Sequence, residues 1–211
     1  MKVAVIGGTG KMGKALARQL SRNNRVTIGS RDPARAKDAA GAIPGAEGAD
    51  YAEASDGAEA AVFAIPYPAL MLAAPLRKAL SGKLVVSAVN PMRLSGGLFE
   101  LALGEGSAAE ELARLLPESR LATGFNHIPW SILDADEVAP IDVLVAADSE
   151  PTFEAAAGLV RSIPNLRPLN AGPLSQARGV EAITPLLLNL ARLNATGSLA
   201  TRFVSGRARS R

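Results

Sequence analysis

A glycine-rich turn directly behind the first predicted strand is the feature that most constrains this chain. Lys2–Ile6 (KVAVI) is a short β-branched run, which is typical of a central parallel strand buried on both faces. Apolar residues recur at helical spacing over Met12–Leu20, so a helix is predicted on the other side of the turn. The turn itself, Gly8–Gly13, fits the pattern G-x-G-x-x-G. A strand before this pattern and a helix after it are the context of a dinucleotide-binding site.

Each glycine of the pattern serves a separate physical purpose. Gly8 permits the tight turn out of the strand, Gly10 lets the backbone approach a pyrophosphate, and Gly13 lets the helix pack close to the sheet. Free backbone N–H groups and the positive end of the helix dipole then hold the phosphates. Thr9, Lys11 and Met12 are the other residues of this turn.

Strands and helices alternate along the chain. The predicted strands are Lys2–Ile6, Arg25–Gly29, Glu59–Ile65, Lys83–Val89, Arg120–Phe125 and Ile141–Ala147. The predicted helices are Met12–Leu20, Pro33–Ala40, Pro68–Leu80, Ser107–Leu116, Thr152–Ser162 and Leu174–Thr201. This alternation predicts an α/β fold: a Rossmann-type parallel sheet with helices on both faces and a small C-terminal α/β part. Leu94–Ser107 is predicted to be a flexible loop, and Pro185 is expected to kink or split the last helix.

The end of the second strand selects between the two nicotinamide dinucleotides. Proteins that bind NAD place an acidic residue there, to hold the ribose 2′-hydroxyl. This chain has Ser30 and Arg31 instead, and the guanidinium fork of Arg31 suits a 2′-phosphate. Arg35, one helical turn further on, adds a second cation, while Asp32 is expected to cap the helix before Pro33. We therefore predict NADP as the dinucleotide.

Composition narrows the class of protein. The chain has no cysteine and a single histidine, so we predict no metal site and a cytoplasmic location. No stretch approaches the roughly 20 apolar residues that cross a bilayer, so no membrane association is expected. The net charge is +3, but the cations cluster only near the end. This cluster is Arg202, Arg207, Arg209 and Arg211, which we interpret as a solvated terminus rather than a nucleic-acid site.

With these residues identified, the sequence resembles the family of F420-dependent NADP reductases over nearly its whole length. The N-terminal motifs Gly7–Gly10 and Gly29–Arg31 match that family but occur in other NADP enzymes too. The C-terminal half carries the more specific resemblance. Its matching segments are Leu166–Leu169, Ala171–Ser175, Glu181, Thr184–Leu186 and Asn189, together with Ile65-Pro66 after the third predicted strand.

The resemblance implies reversible hydride transfer between C4 of NADPH and C5 of the deazaflavin coenzyme F420, in a homodimer. It assigns residues 1–125 to the NADP-binding Rossmann domain and residues 126–211 to the hydride-acceptor pocket and the dimer interface. It implies that Thr9–Met12 hold the pyrophosphate. It also implies that the ribose and nicotinamide are lined by Ile65, Pro66, Leu70, Val89 and Asn90. It implies that the transfer pocket is formed by Asn126, His127, Ile128, Pro129 and Trp130, with Thr184 closing it. Asn126, His127 and Ile128 are the predicted catalytic residues.

Several roles stay open at this point. His127 either contacts the acceptor ring or is a structural residue at a strand end, and Trp130 either stacks on a ring or packs in the core. Family members often have His-x-Ile-Pro where this chain has Asn126–Pro129, which leaves another acceptor open: a flavin, quinone, metal chelate or imine. A non-catalytic NADP sensor is the third reading. Arg178 and Arg192 are either contacts for an anionic acceptor tail or solvated surface cations.

Overall fold

One sheet of eight strands organises the molecule, which we describe from a computed structural model covering residues 1–204 and 206. The sheet strands are β1 (Lys2–Ile6), β2 (Arg25–Ser30), β3 (Glu47–Asp50), β4 (Ala60–Phe63), β5 (Leu84–Ser87), β8 (Arg120–Thr123), β9 (Ile141–Ala147) and β10 (Leu166–Asn170). A separate hairpin consists of β6 (Met92–Ser95) and β7 (Leu98–Leu101). The spatial order in the sheet is β10-β9-β8-β5-β4-β1-β2-β3. Because β1 is followed on one side by β2 and on the other by β4, the chain reverses its direction of winding there, where Rossmann sheets bind dinucleotides.

The helices lie on both faces of this sheet. The α-helices are α1 (Lys11–Leu20), α2 (Pro33–Gly41), α3 (Tyr51–Asp56), α4 (Ala108–Leu115), α5 (Trp130–Leu133), α6 (Glu150–Arg161) and α7 (Ala177–Leu193). Two 3-10 helices span Tyr67–Leu76 and Leu174–Gln176. One apolar core joins α1, α2, α5 and α6 to the sheet, and the other joins α3, α4, the start of α7 and the longer 3-10 helix to the opposite face. The α/β fold with helices on both faces is therefore confirmed.

The sheet is mostly, not entirely, parallel. Strands β3, β2, β1, β4, β5 and β8 pair in parallel, as do β9 and β10. Strand β9, however, runs antiparallel to β8 along a short register of Ala122 with Ala147 and Thr123 with Ala146. The first two residues of β8 therefore have no partner in β9. The first half of β9 extends beyond the end of β8 and does not pair with it.

Several elements differ from the sequence-based predictions. The predicted flexible loop Leu94–Ser107 contains most of the β6–β7 hairpin, which the side chain of Asn189 in α7 anchors through both the N–H and the carbonyl of Phe99. Pro185 does not split the last helix, since α7 runs through it as one element. Strands β3 and β10 and helices α3 and α5 had no prediction, because short segments carry too little periodicity to be recognised.

No helix in the described part of the chain has both the length and the hydropathy needed to cross a membrane. Of the predicted solvated basic tail, Arg202 is described, while Arg207, Arg209 and Arg211 lie outside the described residues.

Candidate active site

The carboxyl ends of five neighbouring parallel strands place the predicted site residues in a row. Beyond β2 lie Ser30 and Arg31, beyond β1 the glycine turn, beyond β4 the pair Ile65-Pro66, beyond β5 Val89 and Asn90, and beyond β8 Asn126. Since the strand order is β2-β1-β4-β5-β8, this row follows the sheet edge in one direction. The arrangement matches a dinucleotide laid across the edge, with its 2′-phosphate at the β2 end and its nicotinamide toward β5 and β8.

The glycine turn is as tight as its residue types require. Gly7 adopts a left-handed φ of 89°, and a Cβ there would lie 2.6 Å from the carbonyl oxygen of Ala64. A Cβ on Gly8 would lie 2.7 Å from Cγ2 of Ile28, and one on Gly13 would lie 2.3 Å from the carbonyl oxygen of Gly7. Gly10 differs, because the nearest atom to its Cβ would be the Gly7 oxygen at 3.4 Å. The protein therefore leaves open space in front of Gly10, as a close phosphate needs.

The start of α1 leaves its first backbone donors free. Gly10 is the N-cap residue and supplies no side-chain cap, and the first turn of α1 carries no acidic side chain. The N–H groups of Gly7 and Gly8 donate to the carbonyl of Gly29 in β2, and the N–H of Gly10 donates to the carbonyl of Gly7. Among the described residues, no hydrogen bond uses the N–H groups of Thr9, Lys11, Met12 or Gly13. Four unpaired donors at the positive end of a helix dipole fit a pyrophosphate.

The cations at the β2 end are exposed and unneutralised. Arg31 and Arg35 are exposed, and neither pairs with a carboxylate in the described part of the chain. Asp32 caps α2 as expected, accepting from the N–H groups of Ala34 (3.0 Å) and Arg35 (3.3 Å), so its charge is engaged by the helix. Ser30 is buried, and its Oγ accepts the N–H of Asp32 at 3.2 Å. This cluster suits a phosphate dianion next to Arg31.

Tyr51 is a neighbour of this cluster that sequence reasoning missed. It is the first residue of α3, and its Cδ1 lies 3.2 Å from where a Cβ on Gly29 would stand. Burial raises the pKa of the Tyr51 phenol, and the nearby positive charge of Arg31 partly offsets that rise. An aromatic ring beside the cations fits the adenine end of a dinucleotide. The only sequence signal for α3 was Asp50 as a helix N-cap. It was not recognised because strand β3, which ends at Asp50, was not predicted.

A hydrogen-bond network ties together the residues predicted at the other end of the row. The carbonyl oxygen of Asn126 accepts from Nδ2 of Asn90 (2.8 Å) and from Oγ1 of Thr184 (2.9 Å). Oγ1 of Thr184 also lies 3.2 Å from Oδ1 of Asn90. Both ends of the Asn126 side-chain amide are engaged, because Nδ2 donates to the Val89 carbonyl (3.0 Å) and Oδ1 accepts from Thr123 (2.8 Å). Strands β5 and β8 and helix α7 are thereby locked at one point.

The backbone just before this network is strained. Phe125 has a φ of 65° although it is a bulky residue with no exposed surface. Left-handed backbone in such a residue is rare and tends to occur where a site demands it. Here it turns the chain out of β8 so that Asn126 and the residues after it line a cavity. Ile128, one of these residues, is almost fully buried.

The cavity beside this network has a volume of about 350 Å³ and a mainly apolar lining. Its lining residues are Asn126, His127, Ile128, Pro129, Trp130, Ser131, Thr184, Leu187, Leu188, Ala191, Arg192, Thr196, Gly197, Ser198 and Leu199. The structure thus brings together every residue predicted to form the transfer pocket, and adds α7 and the segment after it. That segment, residues 196–199, was predicted as the end of a helix reaching Thr201, but α7 ends at Leu193 and the segment is irregular. A flat, mostly apolar ring system fits such a lining.

His127 is a buried, neutral residue held at both nitrogens. Nε2 accepts the backbone N–H of Leu144 at 3.1 Å, and Nδ1 lies 3.1 Å from Oγ1 of Thr201. With Nε2 as acceptor, Nδ1 carries the proton and donates it to Thr201. Burial lowers the pKa of His127 to about 4. Both ring nitrogens are thereby engaged by the protein.

The other predicted lining residues divide into wall and core. Ile65 and Val89 are buried beneath the strand ends, while Pro66 is exposed above them. Leu70 belongs to the longer 3-10 helix, where it is buried in the core and lines a separate groove with Tyr67 and Glu111 rather than the predicted nicotinamide site. Within the described residues, no cluster of three or more histidine, aspartate or glutamate side chains has a metal-binding arrangement.

A buried carboxylate fixes α7 against α4. Glu181 has no exposed surface, and its two oxygens accept the N–H groups of Ala108 and Ala109, each at 3.0 Å. Burial raises its pKa to about 7, although these two hydrogen bonds favour the charged form. Thr184 lies one turn further along α7, so Glu181 fixes the position of the helix that closes the cavity.

Comparisons with known proteins show which chains this one is similar to. Residues 2–91 match the family model described as NADP oxidoreductase, coenzyme F420-dependent. The chain is 37% identical over 206 residues to an F420-dependent NADP reductase of Methanothermobacter thermautotrophicus, covering 90% of this chain and 89% of that one. It is 32% identical over 208 residues to an F420-dependent NADP reductase of Methanocaldococcus jannaschii, covering 90% and 92% respectively. A solved structure from Arthrobacter sp. FB24, described as a candidate F420-dependent NADP reductase, superposes with a TM-score of 0.86 at 26% identity, covering 97% of this chain and 100% of that one.

Proposed function

This chain belongs to the family of F420-dependent NADP reductases, and we propose that it catalyses reversible hydride transfer between NADP(H) and coenzyme F420. The observation that carries the proposal is the continuity of one sheet edge. It begins at exposed arginines behind β2, passes a glycine turn with free N–H donors, and ends at an apolar cavity beside β8. A nicotinamide and a second flat ring therefore meet near Asn90, Asn126 and Thr184.

Hydride transfer requires the protein to position the two rings and to exclude water from around them. When bound, NADPH supplies the hydride at C4 of its nicotinamide, and F420 accepts it at C5 of its deazaflavin. The unpaired N–H groups of the glycine turn hold the pyrophosphate, while Ser30, Arg31 and Arg35 hold the 2′-phosphate. Ile65, Val89 and Ile128 keep water out around the reacting rings. Such a transfer needs no protein nucleophile. The protein lowers the activation barrier by holding the two rings at near contact in the right orientation.

The residues at the junction act mainly by positioning. Both ends of the Asn126 side-chain amide are engaged by the protein, and its backbone carbonyl oxygen holds Asn90 and Thr184, so we assign it a positioning role. His127 is neutral and engaged on both sides, so we assign it the placement of the chain that follows α7 rather than proton transfer. Every residue that lines the cavity lies within 126–199, which supports the assignment of residues 126–211 to the acceptor side.

A direct test follows NADPH oxidation with several acceptors. Purified protein is mixed with NADPH and F420, and separately with FMN, FAD or a quinone, while the nicotinamide and deazaflavin absorbance bands are recorded. Rapid loss of both bands with F420 alone supports the proposal. Turnover only with flavins or quinones contradicts it, and tight NADPH binding without any turnover would leave an NADP sensor instead.

A matched pair of variants connects that activity to the cavity. Ala191→Trp fills the cavity wall on α7 and is expected to raise KM for F420 at least tenfold while KM for NADPH changes little. Gly158→Trp is the control, since this exposed position on α6 has no atom within 4 Å of an added Cβ. An equal effect of the two substitutions would separate the cavity from the reaction.

We propose a homodimer that packs the outer face of α7. Leu186, Leu190 and Leu193 recur on one side of this helix and are 56%, 40% and 69% exposed. The hairpin attached to this helix through Asn189 adds the exposed Leu94 and Leu98, and exposed apolar side chains in this number are typical of an interface. Leu190→Glu is expected to yield a monomer in analytical ultracentrifugation. The cytoplasmic location stays a prediction from the sequence.

A further inference from the structure

Lys11 and Trp130 connect the dinucleotide turn to the acceptor cavity. Nζ of Lys11 lies 4.8 Å from the centroid of the Trp130 ring, which is the geometry of a cation–π contact. Lys11 is the first residue of α1, and its backbone N–H is one of the unpaired donors of the glycine turn. Trp130 is the first residue of α5, lines the acceptor cavity and is 42% exposed. One side-chain contact therefore bridges the two halves of the site.

The ammonium of Lys11 has no partner besides Trp130 in the described part of the chain. Within residues 1–204 and 206, Lys11 forms neither an ion pair nor a side-chain hydrogen bond. A phosphate is a stronger partner for an ammonium than the face of a ring, because a charge-assisted hydrogen bond to an anion exceeds a quadrupole attraction at an exposed site. A pyrophosphate held on the N–H groups of this turn would therefore compete with Trp130 for the same cation.

We propose that Lys11 and Trp130 form a coupling pair, in which dinucleotide phosphates draw Lys11 away and thereby free the face of Trp130 to stack on the acceptor ring. This inference rests on the proposed function for the identity of the two ligands. The coupling has a definite sign: the dinucleotide strengthens acceptor binding, and the acceptor strengthens dinucleotide binding by the same factor. The size of a cation–π contact at an exposed site limits that factor to about two- to fivefold.

The single tryptophan makes the pair directly observable, because Trp130 is the only one in the chain. The probe is 2′-phospho-ADP-ribose, which has the pyrophosphate and the 2′-phosphate but no nicotinamide ring to quench the indole. Its matched control is 2′-AMP, which has the 2′-phosphate but no pyrophosphate. We expect the first compound to change the fluorescence of Trp130 and the second to leave it unchanged, while calorimetry records the binding of each.

Lys11→Met tests the cause of this change, since methionine keeps the length of the side chain and removes its charge. We expect the variant to bind 2′-phospho-ADP-ribose more weakly and, at saturation, to show no change in tryptophan emission. Lys14→Met, on the next exposed lysine of α1, is the control and is expected to keep the wild-type response. In wild type, 2′-phospho-ADP-ribose should also lower Kd for F420 two- to fivefold, and Lys11→Met should abolish that gain.

The two possible failures can be told apart. Calorimetric binding of 2′-phospho-ADP-ribose without any change in Trp130 emission, or an unchanged response in Lys11→Met, overturns the coupling pair and leaves the proposed function intact. A complete lack of binding overturns the dinucleotide site itself, and with it both proposals.

Discussion

Nδ1 of His127 lies 3.1 Å from Oγ1 of Thr201, and this contact holds the segment after α7 against β9. The backbone completes the attachment, because the N–H of Asp142 donates to the Thr201 carbonyl at 3.0 Å. Ser131 and Ser198 add a hydroxyl pair at 2.7 Å across the cavity mouth. Residues 196–199, next to these anchors, form one wall of the acceptor cavity. The only histidine of the protein therefore shapes the cavity from behind.

Thr201→Val tests this arrangement, because it removes the hydroxyl and keeps the shape of the side chain. The buried Nδ1–H of His127 then lacks an acceptor, which costs about 1–3 kcal/mol of stability. We expect KM for F420 to rise several-fold while KM for NADPH stays the same. Thr27→Val in β2 is the control, since this position is far from the cavity. Steady-state kinetics with each substrate varied in turn would contradict the prediction if both constants moved together.

The pH dependence of stability is expected to contain two opposing contributions. Burial lowers the pKa of His127 from 6.5 to about 4, so the unfolded chain takes up its proton first as pH falls. Stability from this group is present above pH 6.5 and is lost on acidification toward pH 4. The shift corresponds to a loss of up to about 3 kcal/mol. His127→Gln, which cannot titrate, should lose this dependence.

Glu181 acts in the opposite direction over nearly the same range. Burial raises its pKa from 4.5 to about 7, so its contribution is present below pH 4.5 and is lost as pH rises toward 7. As pH increases from 5 to 7, we expect the stability of His127→Gln to fall more steeply than that of wild type. Over the same change, the stability of Glu181→Gln should rise more steeply than that of wild type. Urea unfolding at several pH values in this interval measures both. Slopes equal to that of wild type would show that neither group changes its pKa on folding.

Arg31 is expected to determine the choice of dinucleotide. Loss of a charge-assisted contact costs about 1.5–3 kcal/mol, which corresponds to roughly 10- to 100-fold in binding. Arg31→Ala should therefore raise KM for NADPH by that factor and leave KM for NADH nearly unchanged. Arg25→Ala, at the opposite end of the same strand, is the matched control. A wild-type preference for NADH, measured as kcat/KM, would refute the assignment of the 2′-phosphate site.

Sequence reasoning reached the parts of the site that depend on local patterns. The bounds of β1 and the cap formed by Asp32 were predicted, because strand composition and capping act over a few residues. The approach of Tyr51 to Arg31, and the buried placement of Glu181 under α4, depend on how distant elements pack. Neither has a signature in its own neighbourhood. The antiparallel orientation of β9 was missed for the same reason, since the composition of an apolar strand does not indicate its direction in the sheet.

Two alanine substitutions in the glycine turn should fail for different reasons. In Gly13→Ala the new Cβ would lie 2.3 Å from the carbonyl oxygen of Gly7, so α1 must move away from the sheet. We expect Gly13→Ala to lose about 1–3 kcal/mol of stability, as overpacked sites do, together with NADPH binding. In Gly10→Ala the Cβ meets only the Gly7 oxygen at 3.4 Å, so the fold tolerates it.

The Gly10 methyl group instead occupies the space in front of the helix, where the phosphate must approach. Gly10→Ala should therefore keep the thermal midpoint of wild type and raise Kd for NADPH at least tenfold, whereas Gly13→Ala should lower both stability and affinity. Thermal unfolding and calorimetry on the same two samples separate these effects. Unimpaired NADPH binding by Gly10→Ala would mean that the pyrophosphate does not lie against this turn.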